Sequence, residues 1–267
     1  MEWIRKRIRL GYVDVVNPFN KKQVSRVSLD PGDVKCWVWW SKNFKEWIAL
    51  YKENPKLFTQ YEGHSFQFTI NSPSAMERTL NISLKERISQ LEWLVNEFGT
   101  LAVSYRYDPI MLYIEKASGQ IIGNLEKFEW IIEKVASLGL KEMIISFATI
   151  YKKVDRRMRK RGKIPLDLTL KKKKEILSKL LEVCESFGVK IKACCQPELL
   201  DLDGIEQSHC IDANKIEKIV GERMSKAQDA GQRDACGCHK SRDIGGYTGR
   251  FRCKHNCDYC YANPSRE

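Results

Sequence analysis

Three stretches of this chain repeat one pattern: apolar residues at helical spacing, then a glycine, then a short apolar run. Ile88, Leu91, Leu94, Val95 and Phe98 precede Gly99 and the run Leu101–Ser104. Leu125, Phe128, Ile131, Ile132, Val135 and Leu138 precede Gly139 and the run Met143–Phe147. Ile176, Leu177, Leu180, Leu181, Cys184 and Phe187 precede Gly188 and the run Val189–Ala193. Glycine without a Cβ ends a helix in the left-handed conformation at least cost. A strand a few residues later then makes a helix-strand unit. Val34–Trp40 and Ser65–Ile70 fit the series as two further strands.

Strands alternating with amphipathic helices imply a parallel sheet with helices outside it. The fold is therefore expected to be α/β, as a complete or partial (β/α) barrel, with an open doubly wound sheet as the alternative. No G-x-G-x-x-G follows any of these strands, which disfavours the dinucleotide-binding form of the doubly wound sheet. The barrel is the preferred expectation, over residues 1–225, with 226–267 as a cysteine-rich segment returning to its rim. Working residues of a barrel lie where strands end. Here those ends carry Ser41-Lys42-Asn43, Thr69 and Asn71, Arg106 and Asp108, Ser146, and Cys194-Cys195. Arg106, Asn71 and Cys194 are expected at one rim, with Arg106 and Asp108 as catalytic candidates.

The formal net charge is +12, much of it in Lys152–Arg161 and Lys171–Lys174. Such runs can attract nucleic acid, although a solvated loop and helix face explain them equally. No run of about 18 apolar residues exists, so no membrane span is expected. Met1–Arg7 is charged and no apolar region follows it, so the chain is expected to be cytoplasmic, with reduced thiols.

Eight of the ten cysteines fall between Cys194 and Cys260, while Cys36 lies in a strand and Cys184 on a buried helix face. Clustered thiols in a reducing compartment favour metal binding. The end of the chain reads Cys253-Lys-His-Asn-Cys257-Asp-Tyr-Cys260. Only Cys257 and Cys260 have the C-x-x-C spacing of a zinc pair. The C-x3-C-x2-C spacing, with Tyr259 just before the last cysteine, resembles the signature of radical S-adenosylmethionine enzymes.

By that resemblance Cys253, Cys257 and Cys260 bind three irons of a 4Fe-4S cluster. The fourth iron chelates S-adenosylmethionine, whose reductive cleavage releases a 5′-deoxyadenosyl radical. A ferredoxin or flavodoxin would supply the electron. The usual radical barrel carries this motif after its first strand. Closure of a barrel would bring a motif at the chain's end to the same rim. Asn17 and Asn20 would then lie beside it and share in binding the cofactor together with Tyr259 and Arg106.

The chain as a whole resembles the domain of unknown function 1848 family. Gly11–Asn20, Gln23–Leu29, Arg106–Ile110, Cys210-Ile-Asp and Asp243–Tyr247 with the cysteine motif carry the likeness. The resemblance implies cofactor chemistry and leaves the substrate unknown. Family members open with a further strand, so this chain is expected to begin after it.

A second cluster would need four more thiolates. Cys194 and Cys195 would point to opposite faces of a continuing strand. By the resemblance Cys194 is the counterpart of the family's cysteine, so the expected set is Cys194, Cys210, Cys236 and Cys238. Zinc at those positions, or no metal, remain the alternatives. His209 and His239 adjoin ligand candidates and could replace one, whereas His255 is read as a spacer. The competing functions are an iron-sulfur electron carrier or redox sensor that leaves S-adenosylmethionine intact, and a basic nucleic-acid-binding protein with structural zinc.

Overall fold

The structure is a computed structural model, and it describes residues 1–17, 20, 22–229, 232–245 and 253–262. Pro18 and Phe19 of the first family-like stretch, and Gly246 and Tyr247 of the last, lie outside the described residues. In chain order, α1 (Glu2–Leu10) leads into a hairpin of β1 (Tyr12–Val16) and β2 (Val24–Ser28). There follow β3 (Cys36–Ser41), α2 (Lys45–Glu53), α3 (Lys56–Thr59), β4 (Gly63–Thr69), α4 (Leu84–Ala102) and β5 (Val103–Ile110). Next come β6 (Leu112–Glu115), β7 (Ile121–Gly123), α5 (Phe128–Ser137), β8 (Glu142–Phe147), α6 (Lys152–Lys160) and β9 (Lys163–Pro165). The last elements are α7 (Leu170–Ser186), β10 (Lys190–Ala193), β11 (Ile205–Gln207) and α8 (Ala213–Val220).

Six strands form an all-parallel sheet in the order β11-β10-β8-β5-β4-β3. The order follows the chain without the reversal that marks a doubly wound sheet. The sheet is open, with β3 and β11 as its edges, so the described residues do not form the closed barrel that was one expectation. Two antiparallel additions, β1-β2 and β7-β6-β9, were not foreseen from the helix-glycine-strand rhythm.

Each of the three glycines has the positive φ the rhythm required: 79° at Gly99, 80° at Gly139 and 65° at Gly188. Gly99 also departs from the expected layout. Its ψ of 161° breaks α4, and one more turn follows before β5 starts at Val103 rather than at Leu101. Ser83 begins α4 with a reciprocal cap, its hydroxyl accepting from the Glu86 N–H while the Glu86 carboxylate accepts from the Ser83 N–H.

Buried faces make the sheet cohere. Phe66, Phe68, Tyr105, Met143, Ile145 and Ile191 are fully buried between the sheet and its helices. Each such side chain contributes about 1.5–3 kcal/mol on leaving water. Trp47 on α2 stacks edge-on against Phe66, with Phe58 and Phe98 beside it. Cys184 is fully buried in this core, and Cys36 begins β3, half-buried. α8 packs so closely on β4 that a Cβ at Gly63 would lie 2.6 Å from Val220 Cγ1. No helix among the described residues is long and apolar enough to cross a membrane.

α8 also carries Lys215, which donates to Ser104 Oγ at 2.6 Å and to the Val103 carbonyl at 3.2 Å. Burial pushes this lysine down to about 8 from an ordinary value of 10.5. The unfolded chain therefore binds more protons between those two values, and stability rises with pH across that window. Lys215→Met removes the titration. It should stabilise the protein by about 1–2 kcal/mol at neutral pH after the lost hydrogen bonds are counted. Urea midpoints of the two proteins should draw together as pH rises from about 8 and cross before about 10.5, above which the parent keeps the advantage of its hydrogen bonds. A constant gap at every pH would mean that Lys215 is charged as freely in the fold as outside it.

Candidate functional site

Parallel strands present their carboxyl ends to one rim, and the polar residues cluster there. Arg106, only 2% exposed, is held on β5 between two of its neighbours. Its Nη2 pairs with Asp108 Oδ2 at 2.7 Å, and its Nη1 donates to Cys210 Sγ at 2.9 Å and to Gln67 Oε1 at 3.3 Å. The guanidinium lies over the Trp40 ring, 5.0 Å from its centroid. Asp108 also accepts from the Ser146 hydroxyl on β8. Burial alone would raise the Asp108 carboxyl, but the adjoining Arg106 charge, the hydrogen bonds from Ser146 and Arg106, and the Lys42 charge together hold it below the ordinary carboxylate range. Asn71 Oδ1 accepts from the Asp108 N–H at 3.0 Å, and Cys194 Sγ is 3.2 Å from Cys210 Sγ. Arg106, Asn71 and Cys194 thus share one rim, as expected.

Five thiols gather beyond Arg106. Cys194 contacts Cys210, which lies within electrostatic reach of Cys238, and Cys236 lies within reach of both Cys238 and Cys195. The opposite-face argument for Cys194 and Cys195 does not hold. β10 ends at Ala193, and Cys195 takes a left-handed φ of 53°, which turns its thiol toward Cys236. Gly237 is required between Cys236 and Cys238, because a Cβ there would come within 2.7 Å of His209 Nδ1. His209 stacks on His239, their ring centroids 5.4 Å apart. The hydrogen bond to Cys210, with burial behind it, pushes the Cys194 thiol up, whereas Cys238 is lowered by its bond with Cys210. A metal binding here must therefore displace protons, and its affinity must rise with pH.

The chain's last described segment docks beside the same rim, on the loop after β4. Cys257 bridges to Glu77, the Asp258 N–H donates to the Met76 carbonyl at 2.7 Å, and the Thr79 N–H donates to the His255 carbonyl at 3.3 Å. Tyr259 is buried and donates its hydroxyl to Glu77. Glu77 in turn pairs with Lys42 Nζ at 2.9 Å, and Lys42 reaches the Asp108 carbonyl at 3.4 Å. A continuous line of contacts therefore runs from Tyr259 through Glu77, Lys42, Asp108 and Arg106 to Cys210. Burial would raise the Glu77 carboxyl, yet Lys42, Tyr259 and Arg87 together hold it below its ordinary value. Behind the motif, Asp258 is fully buried and meets Arg161 and, at 3.2 Å, Lys163. Arg157 on α6 donates to the Asp258 and Cys260 carbonyls at 2.9 and 2.6 Å. Met76, Met111, Tyr113, Val154 and Met158 pack around Cys257 and Tyr259 as a second apolar cluster.

Within the motif Cys257 is buried, Cys260 half-buried and Cys253 exposed. Among the described residues no group of three or more His, Cys, Asp or Glu side chains is arranged to hold a single metal ion. Asn17 closes the β1–β2 turn, its side chain donating to Gln23 Oε1 at 2.8 Å and accepting from the Asn20 N–H at 3.3 Å. The barrel closure that was to carry it to the motif is not formed by this sheet. Glu77 and Arg87 were not singled out from the sequence, and Cys195 was set aside in favour of Cys194. Glu77 lies in the loop after a strand, and that position was the one signal pointing to it.

A family described as a domain of unknown function (DUF1848) matches residues 1–262. No curated protein matches the chain. Among solved structures, the chain is similar to a candidate sugar phosphate isomerase/epimerase of Anabaena variabilis, with 14% identity and a TM-score of 0.29. The match covers 60% of this chain and 54% of that one, so the chain spans about half the length of that relative.

Proposed function

This chain belongs to the DUF1848 family, and from that premise we propose that it is a radical S-adenosylmethionine-type iron-sulfur enzyme acting on a substrate bound at the strand-end rim. One observation carries the reading. The C-x3-C-x2-C stretch, from the far end of the chain, docks against the β4 loop and joins the Arg106–Asp108 pair through Glu77 and Lys42. A second thiol group meets the same arginine through Cys210. The in-sequence order of six parallel strands supports a partial (β/α) barrel as the scaffold, with 226–267 as a cluster-bearing segment on its rim.

The donor set suits iron-sulfur chemistry. Cys253, Cys257 and Cys260 would hold one cluster, and Cys194, Cys210, Cys236 and Cys238 a second, with Cys195 as a fifth thiol in contact. Zinc needs four donors converging on one point. A cubane meets each thiolate at a different iron, so its ligands need no common point. When bound, a cluster with one iron free of cysteine would supply the reductive cleavage of S-adenosylmethionine, fed by a donor of the ferredoxin or flavodoxin class. Ten cysteines kept as thiols suit the cytoplasm.

The chain's own residues divide the remaining work. Arg106 spends its fork on Asp108 and Cys210, so it positions those two groups rather than gripping an incoming carboxylate. Asp108, its side chain 24% exposed, is the member of the pair that can meet substrate and accept a proton. Tyr259 and Glu77 fix the motif's backbone against the β4 loop. Cleavage of S-adenosylmethionine by reduced, iron-loaded protein tests the reading, and its outcomes are set out in the Discussion.

A further inference from the structure

The basic stretch Lys152–Arg161 resolves into stripes of distinct use on and just beyond α6. Lys153, Arg157 and Arg161, at i, i+4 and i+8, face the cysteine motif. Lys153 lies over the Tyr261 ring, Arg157 donates to the Cys260 carbonyl, and Arg161 pairs with Asp258. Asp155 and Arg159 pair with each other. Lys152, Arg156 and Lys160, again at i, i+4 and i+8, are exposed, with no ion-pair partner among the described residues. These three cations extend along about 12 Å of helix.

Beside the stripes stand two exposed aromatic rings. Tyr151 is 40% exposed and Tyr261 is 54% exposed, with centroids 5.9 Å apart and a 52° tilt between them. Tyr261 immediately follows Cys260, and it senses the charges of Arg233 and Asp108. Arg233, exposed, lies within electrostatic reach of Cys194, Cys195, Tyr151 and Tyr261. The two tyrosines therefore stand beside the motif's last cysteine and within electrostatic reach of Arg233, which also reaches Cys194 and Cys195. A solvated face needs no large apolar rings at its edge, and cations alone would hold any anion.

We infer that this face binds single-stranded nucleic acid, with a base stacked on the Tyr151–Tyr261 pair and the backbone running along Lys152, Arg156 and Lys160. Rings that offer a stacking face and a row of free cations are the two parts of a single-strand site. The inference deepens the proposed function by naming the substrate class. The binding itself requires no bound cluster.

The test is fluorescence anisotropy of a labelled, mixed-sequence single-stranded RNA of about a dozen nucleotides, titrated with reconstituted protein over a range of salt. Tyr261→Leu keeps apolar bulk and removes the stacking face, so affinity should fall between about fivefold and a hundredfold. Reversing Lys152, Arg156 and Lys160 together to glutamate should lower the slope of log affinity against log salt by about 2. All four side chains are exposed, so the variants should fold, and circular dichroism checks this. Inorganic polyphosphate of matched charge should compete weakly and be indifferent to Tyr261→Leu. Equal binding of polyphosphate and RNA with no effect of Tyr261→Leu would overturn the inference. So would absence of RNA binding, including where an acidic electron-donor protein proves sensitive to the charge reversals instead. RNA binding without S-adenosylmethionine cleavage would keep the surface and remove the radical reading, and the reverse would remove the surface alone.

Discussion

Changing Cys253, Cys257 and Cys260 together to alanine is expected to remove about four irons per chain from anaerobically reconstituted protein, one cubane's worth. The remaining iron should stay with the group around Cys194 and Cys210. The two groups make that separation measurable, because they share no thiol and only the second contacts Arg106 through Cys210. Cys257 is buried among Met76, Met111 and Met158, so its replacement also leaves a small void. Cys184→Ala is the packing control: that thiol is fully buried in the main core, and its loss should leave the iron content untouched. An unchanged iron count in the triple variant would mean that the motif holds no cluster. Stoichiometric zinc with no iron in the parent protein would restore the structural-metal reading.

Arg106→Leu should cost about 3 kcal/mol of stability, read from urea midpoints. Removing the guanidinium strands the Asp108 carboxylate on a largely buried rim with Ser146 as its remaining hydroxyl partner, and it also leaves Cys210 without its donor. The cost sits at the low end for a broken buried pair because 24% of the Asp108 side chain meets solvent. The pH dependence carries a sign. In the parent, the Asp108 pKa is depressed. Its contribution is complete above the unfolded value of about 3.9 and is lost as pH falls through the lower folded value. In Arg106→Leu, burial without the partner raises that pKa, so acid relieves the variant and the gap between the proteins narrows toward pH 4. Arg106→Leu combined with Asp108→Leu should recover much of the loss, since replacing both charges removes the orphan. A gap that stays constant down to pH 4 would assign the loss to packing.

Much of the sheet was legible because its signal is local. Apolar spacing and a glycine at each helix end place β8 and β10 within one residue of their observed starts, and the run Ser65–Ile70 places β4 within two. The short antiparallel strands β6, β7 and β9 were not legible. β6 and β9 pair across some fifty residues, and their runs of three or four residues carry no period of their own. The start of β5 was misplaced because one glycine took an extended ψ and let a further turn form. At the site, Arg106, Asp108 and Cys194 stood out because strand ends are where side chains converge. Glu77 and Arg87 did not, since Glu77 matters through its contact with Tyr259, far along the chain, and Arg87 through its place 4.0 Å from Glu77. Cys195 was set aside on an alternation rule that ceases to apply once the strand stops at Ala193.

The most direct test of the central claim is a product assay. Parent protein, loaded with iron anaerobically and reduced with dithionite, is incubated with S-adenosylmethionine, and 5′-deoxyadenosine is separated by chromatography. The Cys253/Cys257/Cys260 triple alanine variant serves as the blank. The account predicts slow formation of 5′-deoxyadenosine and methionine by the parent, above that blank and without added substrate. Intact clusters with no 5′-deoxyadenosine above the blank would contradict it, and would leave an iron-sulfur protein that carries or senses electrons.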